Sequence, residues 1–293
     1  MTILHILILA IIQGAAELLP VSSSAHVIVA EKLMGMDPTR PEMTLLLVML
    51  HTGTMFAVIC YFWKSWKATF FASWPAFWEF FKLIVIATII TGIIGLILKA
   101  LIEKLVLKEV PHAEIEMIFG NLTFISISLA VVGVLIIYAG LKTHRAPRRE
   151  GVLGLAGSVW MGAVQGLCLP FRGFSRSGAT ISTGLILGLS RKRVEDFSFA
   201  LAVVLTPPVI AREVLRVLHA RHAEAAAGAA AVASCGLKGL FLPSLLGMAM
   251  SFVAGLLALK WLSAWLEEGR WYLFGIYCIC ISMVVFVLSW SGM

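Results

Sequence analysis

Six apolar stretches, at 44–63, 81–102, 118–141, 197–217, 240–262 and 271–290, leave this chain few folds to choose from. A helix of about 20 residues spans the roughly 30 Å of bilayer hydrocarbon, and each stretch is long enough to do so. Inside lipid the backbone polar groups must be satisfied within the protein, which a helix does by itself. Composition agrees: 60% of the 293 residues are hydrophobic, 13% are charged, and the mean hydropathy is +0.97. A soluble domain is excluded. We expect an all-α polytopic integral membrane protein with six transmembrane helices.

Two further apolar stretches are interrupted. Residues 2–16 run into Glu17 and Pro20 before a short apolar run at 27–36. Residues 152–168 run into Pro170, Arg172 and Arg176 before another at 181–189. Each reads as half-helix, polar turn, half-helix: a re-entrant hairpin, over 2–36 and 152–190, that dips into the membrane and returns. The first is no signal peptide, because it lacks a cationic start and is followed by Glu17 where small residues would mark cleavage.

The hairpins expose a duplication. Ser23 and Ser175 are 152 residues apart, and the spans after them start 153 apart, at 44 and 197. One membrane domain therefore divides into halves, 1–143 and 144–293, each with one hairpin and three crossings. Three is odd, so the second half is expected upside down relative to the first, an inverted repeat of the kind that builds a polar site at the midplane from broken helices.

Charge gives the orientation. The densest cationic clusters, at 142–149 and 191–193, fall with Lys64, Lys67 and Arg270 on one side, which we assign to the cytoplasm, leaving both termini outside. The net charge of +7 lies in short loops and suits anionic lipid better than nucleic acid, for which no basic groove with interleaved aromatics is present. Four of the five cysteines lie in apolar stretches, and their spacing suggests neither a disulfide framework nor a zinc site. The alanine-rich stretch 223–233 reads as outer-loop filler.

The first hairpin, "ELLPVSSSAH", carries chemistry. Gln13 and Glu17 are four apart and share a helix face, Pro20 breaks that helix, and His26 lies three residues beyond Ser23. Ser22 and Ser24 suit capping of the returning half-helix as well as a substrate contact. An ionisable Glu17 at bilayer depth is costly and points to function. The second hairpin, "LPFRGFSRSGATIS", has Gly173 and Gly178 to admit a ligand close to the backbone. It offers Ser175, Ser177 and Thr180 as hydroxyls, and Arg172 and Arg176 as guanidinium forks at a helix N-terminus that favours an anion. Arg172 alternatively snorkels to headgroups. No Walker loop is present, so nucleotide hydrolysis is not supported. An acid, a hydroxyl nucleophile, an imidazole and a cationic cradle within reach of lipid suit phosphoryl transfer on a lipid phosphate. His51, before "TGT", either lines this pocket or is an interfacial group.

At this point the residues carry a resemblance. "GAAELLPVSSSAH" and "GFSRSGATISTGLILG", in that order, with "LHTGTMFAVICYFW" between them, resemble the signature regions of the undecaprenyl-pyrophosphate phosphatases, or bacitracin-resistance proteins, and the likeness in hydropathy covers nearly the whole chain. The resemblance implies hydrolysis of undecaprenyl pyrophosphate to undecaprenyl phosphate and inorganic phosphate, recycling the cell-wall lipid carrier in the bacterial inner membrane. It puts Ser23 at the nucleophile position, Glu17 and His26 at the acid/base positions, and Arg176 at the phosphate-binding position, with Gln13 where the family has Glu or Gln. This chain departs from the family in having Arg172-Gly173 where Pro-Gly is usual.

Glu17 or His26 would then deprotonate Ser23, with direct attack by water as the other route. A divalent cation, Mg²⁺ or Ca²⁺, is the candidate cofactor, held by Glu17 and substrate phosphates; no organic cofactor is called for. The expected partners are a polyprenyl pyrophosphate and membrane lipids, with a second copy of the chain as a candidate. The site is expected to face the outer, periplasmic side. The rival class is transport, because an inverted repeat with broken helices is also the architecture of carriers that would flip a lipid phosphate.

Overall fold

The structure is a computed structural model that describes residues 2–36, 41–105, 121–144, 151–226 and 237–291. Among these residues the chain forms ten helices, in an order that repeats. The first half runs α1 (Ile3–Leu18), α2 (Ser23–Leu33), α3 (Pro41–Thr69), α4 (Trp74–Leu105) and α5 (Leu122–His144). The second runs α6 (Leu155–Cys168), α7 (Arg176–Ile186), α8 (Arg191–Ala226), α9 (Leu237–Glu267) and α10 (Trp271–Trp290). Six helices, α3, α4, α5, α8, α9 and α10, are long and apolar enough to cross a membrane. The paired short helices α1/α2 and α6/α7 form the two hairpins.

Several spans outrun their apolar windows. Once nucleated a helix adds a hydrogen bond per residue, so it continues through the polar interface until a breaker intervenes. Thus α3 starts at Pro41, which suits a first helical turn, and α4 begins at Trp74, seven residues before its hydrophobic stretch. Of the alanine-rich stretch expected as a loop, residues 223–226 continue α8, and the rest lies outside the described residues, as do 145–149 of the cationic cluster.

The direction of each span follows from its contacts. The α1 residues Ile6, Gly14 and Leu18 meet Gly247, Ser251 and Gly255 of α9 in ascending order, and Leu46, Leu50 and Ala57 of α3 meet the same helix in the same order. So α1, α3 and α9 are parallel. Against α3, α8 runs the other way: Phe62 stacks on Phe199, and Ser65 donates to Asp196 Oδ2 at 2.8 Å. Short turns reverse the chain from α3 to α4 and from α9 to α10. Helix α10 is antiparallel to α5, with Thr123 beside Ser289, Ser126 donating to the Ser282 carbonyl at 2.8 Å, and Gly140 against Tyr272. The spans of the first half therefore alternate in one sense and those of the second half in the opposite sense, which makes the repeat inverted.

The halves also exchange arms. Helix α1 lies along α9, the middle span of the other half; α6 lies parallel to α4, with Ser158 donating to the Leu83 carbonyl at 2.9 Å and Thr91 to the Gly162 carbonyl at 2.9 Å. Lipid tails are as apolar as the helices they surround, so close packing of small residues and interhelical hydrogen bonds hold such helices together. Added side-chain carbon at Gly14 would run into the Ser251 carbonyl, and at Gly162 into Ala87, so both arms seat through glycine. The consequence is that hairpins of opposite sense meet at their tips inside the molecule.

Candidate active site

Helix α1 stops at Leu18 because Pro20 cannot continue it. Ser22 then adopts φ 67°, a left-handed conformation unusual for a residue with a side chain, and α2 starts at Ser23. That turn brings Ser23 back beside the arm it left. Its hydroxyl donates to Glu17 Oε2 at 2.5 Å, and Gln13 Nε2 donates to the same oxygen at 3.1 Å. His51 Nε2 stands 3.8 Å from it, while His51 Nδ1 lies 2.8 Å from the Leu47 carbonyl one turn back.

The second tip closes on the first. Ser175 caps α7, accepting from the Gly178 N–H at 3.2 Å, and Arg176 opens the helix. Arg176 Nη2 donates to Glu17 Oε1 at 3.2 Å, whereas Nη1 is buried and has no hydrogen-bond partner. Two more bonds join the tips: the Gly173 N–H donates to Ser24 Oγ at 3.3 Å, and Ser177 Oγ donates to the Leu19 carbonyl at 3.3 Å. Gly173 sits at φ 97°, where a β-carbon would also collide with the Ile125 carbonyl, so glycine is required there.

Between the tips lies a cavity of about 220 Å³. Glu17, Ser22, Ser23, Ser24, Arg172, Ser175, Arg176 and Ser177 all line it. Ser22 makes no capping bond; its hydroxyl lies 3.2 Å from that of Ser24, which faces the opposite tip. Gln13 and His51 touch Glu17 from outside the cavity. Gly178 packs against Ile136, and Thr180 is fully buried, 2.6 Å from Ser198 Oγ, so both brace α7 away from the cavity. His26 is also off the cavity: Nδ1 is 2.8 Å from the Ser22 carbonyl and Nε2 2.8 Å from the Tyr277 hydroxyl.

Residues that sequence reasoning passed over complete the setting. Cys168, Leu169, Phe171 and Phe174 give the cavity an apolar side, and Tyr277 holds His26. The phenylalanines bracket Arg172-Gly173 in "FRGF" and carry a visible signal; Tyr277, within the last span, carries none until its partner is seen.

The donor set for a metal is thin. Among the described residues no three of His, Cys, Asp and Glu gather as a cluster, and Glu17 already accepts from Gln13, Ser23 and Arg176. The protein atoms alone do not fit a resident cation. Chemically the arrangement offers a serine hydroxyl bonded to a base, opposite a guanidinium with a spare donor, in a pocket roofed by apolar groups.

Comparison with known proteins matches both tips. A family model described as bacitracin resistance protein BacA covers residues 6–284. An undecaprenyl-diphosphatase 2 of Acinetobacter baylyi is 58% identical over 289 residues, covering 99% of each chain. A protein of the same name from Burkholderia orbicola is 31% identical over 99% of this chain and 97% of its own, and an undecaprenyl-diphosphatase of Bdellovibrio bacteriovorus is 28% identical over 100% and 98%. Six spans and a match that runs from the first hairpin into the last helix leave one assignment: this is a multi-pass membrane protein, and it belongs to the bacitracin resistance protein BacA family.

Proposed function

We propose that this chain hydrolyses undecaprenyl pyrophosphate to undecaprenyl phosphate and inorganic phosphate, and so returns the lipid carrier to cell-wall synthesis and confers bacitracin resistance. The observation that carries the reading is the pairing of Ser23 with Glu17 at 2.5 Å opposite an Arg176 whose Nη1 is buried without an acceptor. A donor left unsatisfied at bilayer depth is costly, and a phosphate oxygen is the acceptor that relieves it.

In this reading the diphosphate enters between the tips and Arg176 turns Nη1 onto it. Ser23 Oγ attacks the terminal phosphorus and its proton passes to Glu17, the base whose oxygen already holds it. The bond from that phosphorus to the bridging oxygen breaks, and polyprenyl phosphate leaves with the electron pair. Once the departing polyprenyl phosphate has taken the proton from Glu17, Glu17 takes a proton from water and the water oxygen attacks the phosphoserine. Ser23 Oγ leaves with the P–O electron pair and recovers that proton from Glu17 as inorganic phosphate departs. The exposed Arg172 meets the second phosphate. A divalent cation, Mg²⁺ or Ca²⁺, would enter with the diphosphate, bound chiefly by its oxygens and by Glu17, and would supply charge neutralisation.

We place the protein in the inner, plasma membrane of a bacterium. The described cations Lys64, Lys67, Lys142, Lys192, Arg193 and Arg270 share one end of the bundle, which we assign to the cytoplasm, so that the hairpin carrying Ser23 enters from the outer side. Lipid flipping, the rival expectation, would use Arg176 but has no use for a serine held by a carboxylate.

The test is phosphate release from a long-chain polyprenyl pyrophosphate by purified protein in detergent. Ser23→Ala and Arg176→Ala should each lower kcat by roughly a thousandfold. Retained turnover in Ser23→Ala would make water the nucleophile, and no hydrolysis by folded wild type would turn the case to transport.

A further inference from the structure

The tip of the first hairpin is irregular backbone at membrane depth, and such backbone survives only where other groups satisfy it. Three of its carbonyls are met by side chains from three different helices. Ser177 of α7 donates to Leu19, the Cys278 thiol of α10 lies 3.3 Å from the Pro20 oxygen, and His26 of α2 serves Ser22. The third bond stands at the strained residue, since Ser22 is the described residue other than glycine with positive φ, and it directly precedes Ser23.

Only an N–H can serve a carbonyl, so the short contact to Ser22 fixes the proton of neutral His26 on Nδ1. Nε2 then accepts from the Tyr277 hydroxyl, and the two rings lie stacked, 5.7 Å apart and 6° from parallel. Both nitrogens are committed, and neither faces Ser23 or the cavity. Among the described residues it is Glu17 that accepts the proton of the Ser23 hydroxyl.

We infer that His26 and Tyr277 form a positioning pair that holds the left-handed Ser22, and through it aims the Ser23 hydroxyl at Glu17 and the phosphorus, without transferring a proton in the reaction. The inference rests on the phosphatase reading for its kinetic consequence, but not for its geometry. Asparagine places an amide N–H close to where Nδ1 stands and cannot act as an acid or base near neutral pH. Tyr277 tethers the ring from α10, so the last span helps set the first hairpin.

Two measurements separate the possibilities. In kinetics, His26→Ala should lower kcat by about a hundredfold with KM little moved, because misplacing a reacting atom costs turnover more than binding, while His26→Asn should recover to within about fivefold of wild type. Tyr277→Phe should lower kcat about threefold alone and add nothing in the His26→Ala background. A folded His26→Asn as slow as His26→Ala would overturn the inference in favour of proton transfer, and so would Tyr277→Phe effects that multiply with those of His26→Ala. In nitrogen-15 spectra of histidine-labelled protein in detergent, the resonances lost in His26→Asn should report an Nδ1-protonated neutral ring that shifts in Tyr277→Phe. An Nε2-protonated ring would also overturn it. If wild type proves not to hydrolyse the diphosphate, the phosphatase reading falls, while the spectra still decide whether His26 and Tyr277 are paired as described.

Discussion

The two hairpins share one plan and carry opposite chemistry. Gln13-Gly14 of the first stands 152 residues before Gln165-Gly166 of the second, and both arms seat through glycine on the middle span of the other half. At the next comparable positions they part. Glu17 has Leu169 as its counterpart, and Ser24 has Arg176, so one tip supplies the base and the other the cation. The same glutamine consequently does different work: Gln13 donates to Glu17, whereas Gln165 donates to Thr91 Oγ1 at 3.2 Å in a packed interface. Two tips of one plan meet inside the molecule, and their opposite charges make the meeting a site. Two carboxylates there would repel each other and the substrate; two arginines would leave the serine without a base.

That division of labour breaks most sharply if the first tip is made like the second. Glu17→Leu should lower kcat by roughly a thousandfold, measured as phosphate release, since it removes the base for Ser23 and the partner of Arg176 together. A smaller effect tests the turns. Gly173→Ala should cost about 1–3 kcal/mol, read as loss of thermal stability in detergent, because φ 97° and the Ile125 carbonyl both oppose a β-carbon. Ser22→Gly should do the reverse, relieving a left-handed residue and raising stability by up to about 1 kcal/mol while slowing turnover through a looser Ser23. The smallest contrast lies in the glutamines. Gln13→Ala should lower kcat about tenfold, and Gln165→Ala should leave kcat nearly intact while lowering the thermal midpoint, because only the first touches the base. Equal kinetic losses from both would mean that the hairpins act as one packed unit and that the division drawn here is wrong.

Much of this is legible in the sequence for a physical reason. Bilayer depth demands long apolar runs and permits few polar interruptions, so hydropathy located both the spans and the two exceptions, and the odd number of spans per half required inversion. The identity of Glu17, Ser23 and Arg176 stood out because charge and hydroxyl clusters are rare in such surroundings. Thr180 and Gly178 are ambiguous in the sequence, because a small residue near a helix start serves a ligand or a neighbouring helix equally well until its partner is visible. Here the partners are Ser198 and Ile136. A position three residues beyond Ser23 puts His26 near the same turn without saying which way its ring faces, and in the fold its Nε2 lies 2.8 Å from the Tyr277 hydroxyl of α10.

The sequence by itself determined the solvent each segment must live in, the count and order of helices, and the residue types at the two tips. Those are properties of single residues and short windows, which transfer energies fix without knowledge of neighbours. Only the tertiary structure decided that Glu17 takes Ser23 and Arg176 on separate oxygens, that Ser24 and Ser177 stitch tip to tip, and that Tyr277 captures His26 across 251 residues of chain. Such pairings depend on angles and distances between helices, and these come from how small residues pack, which no local window contains.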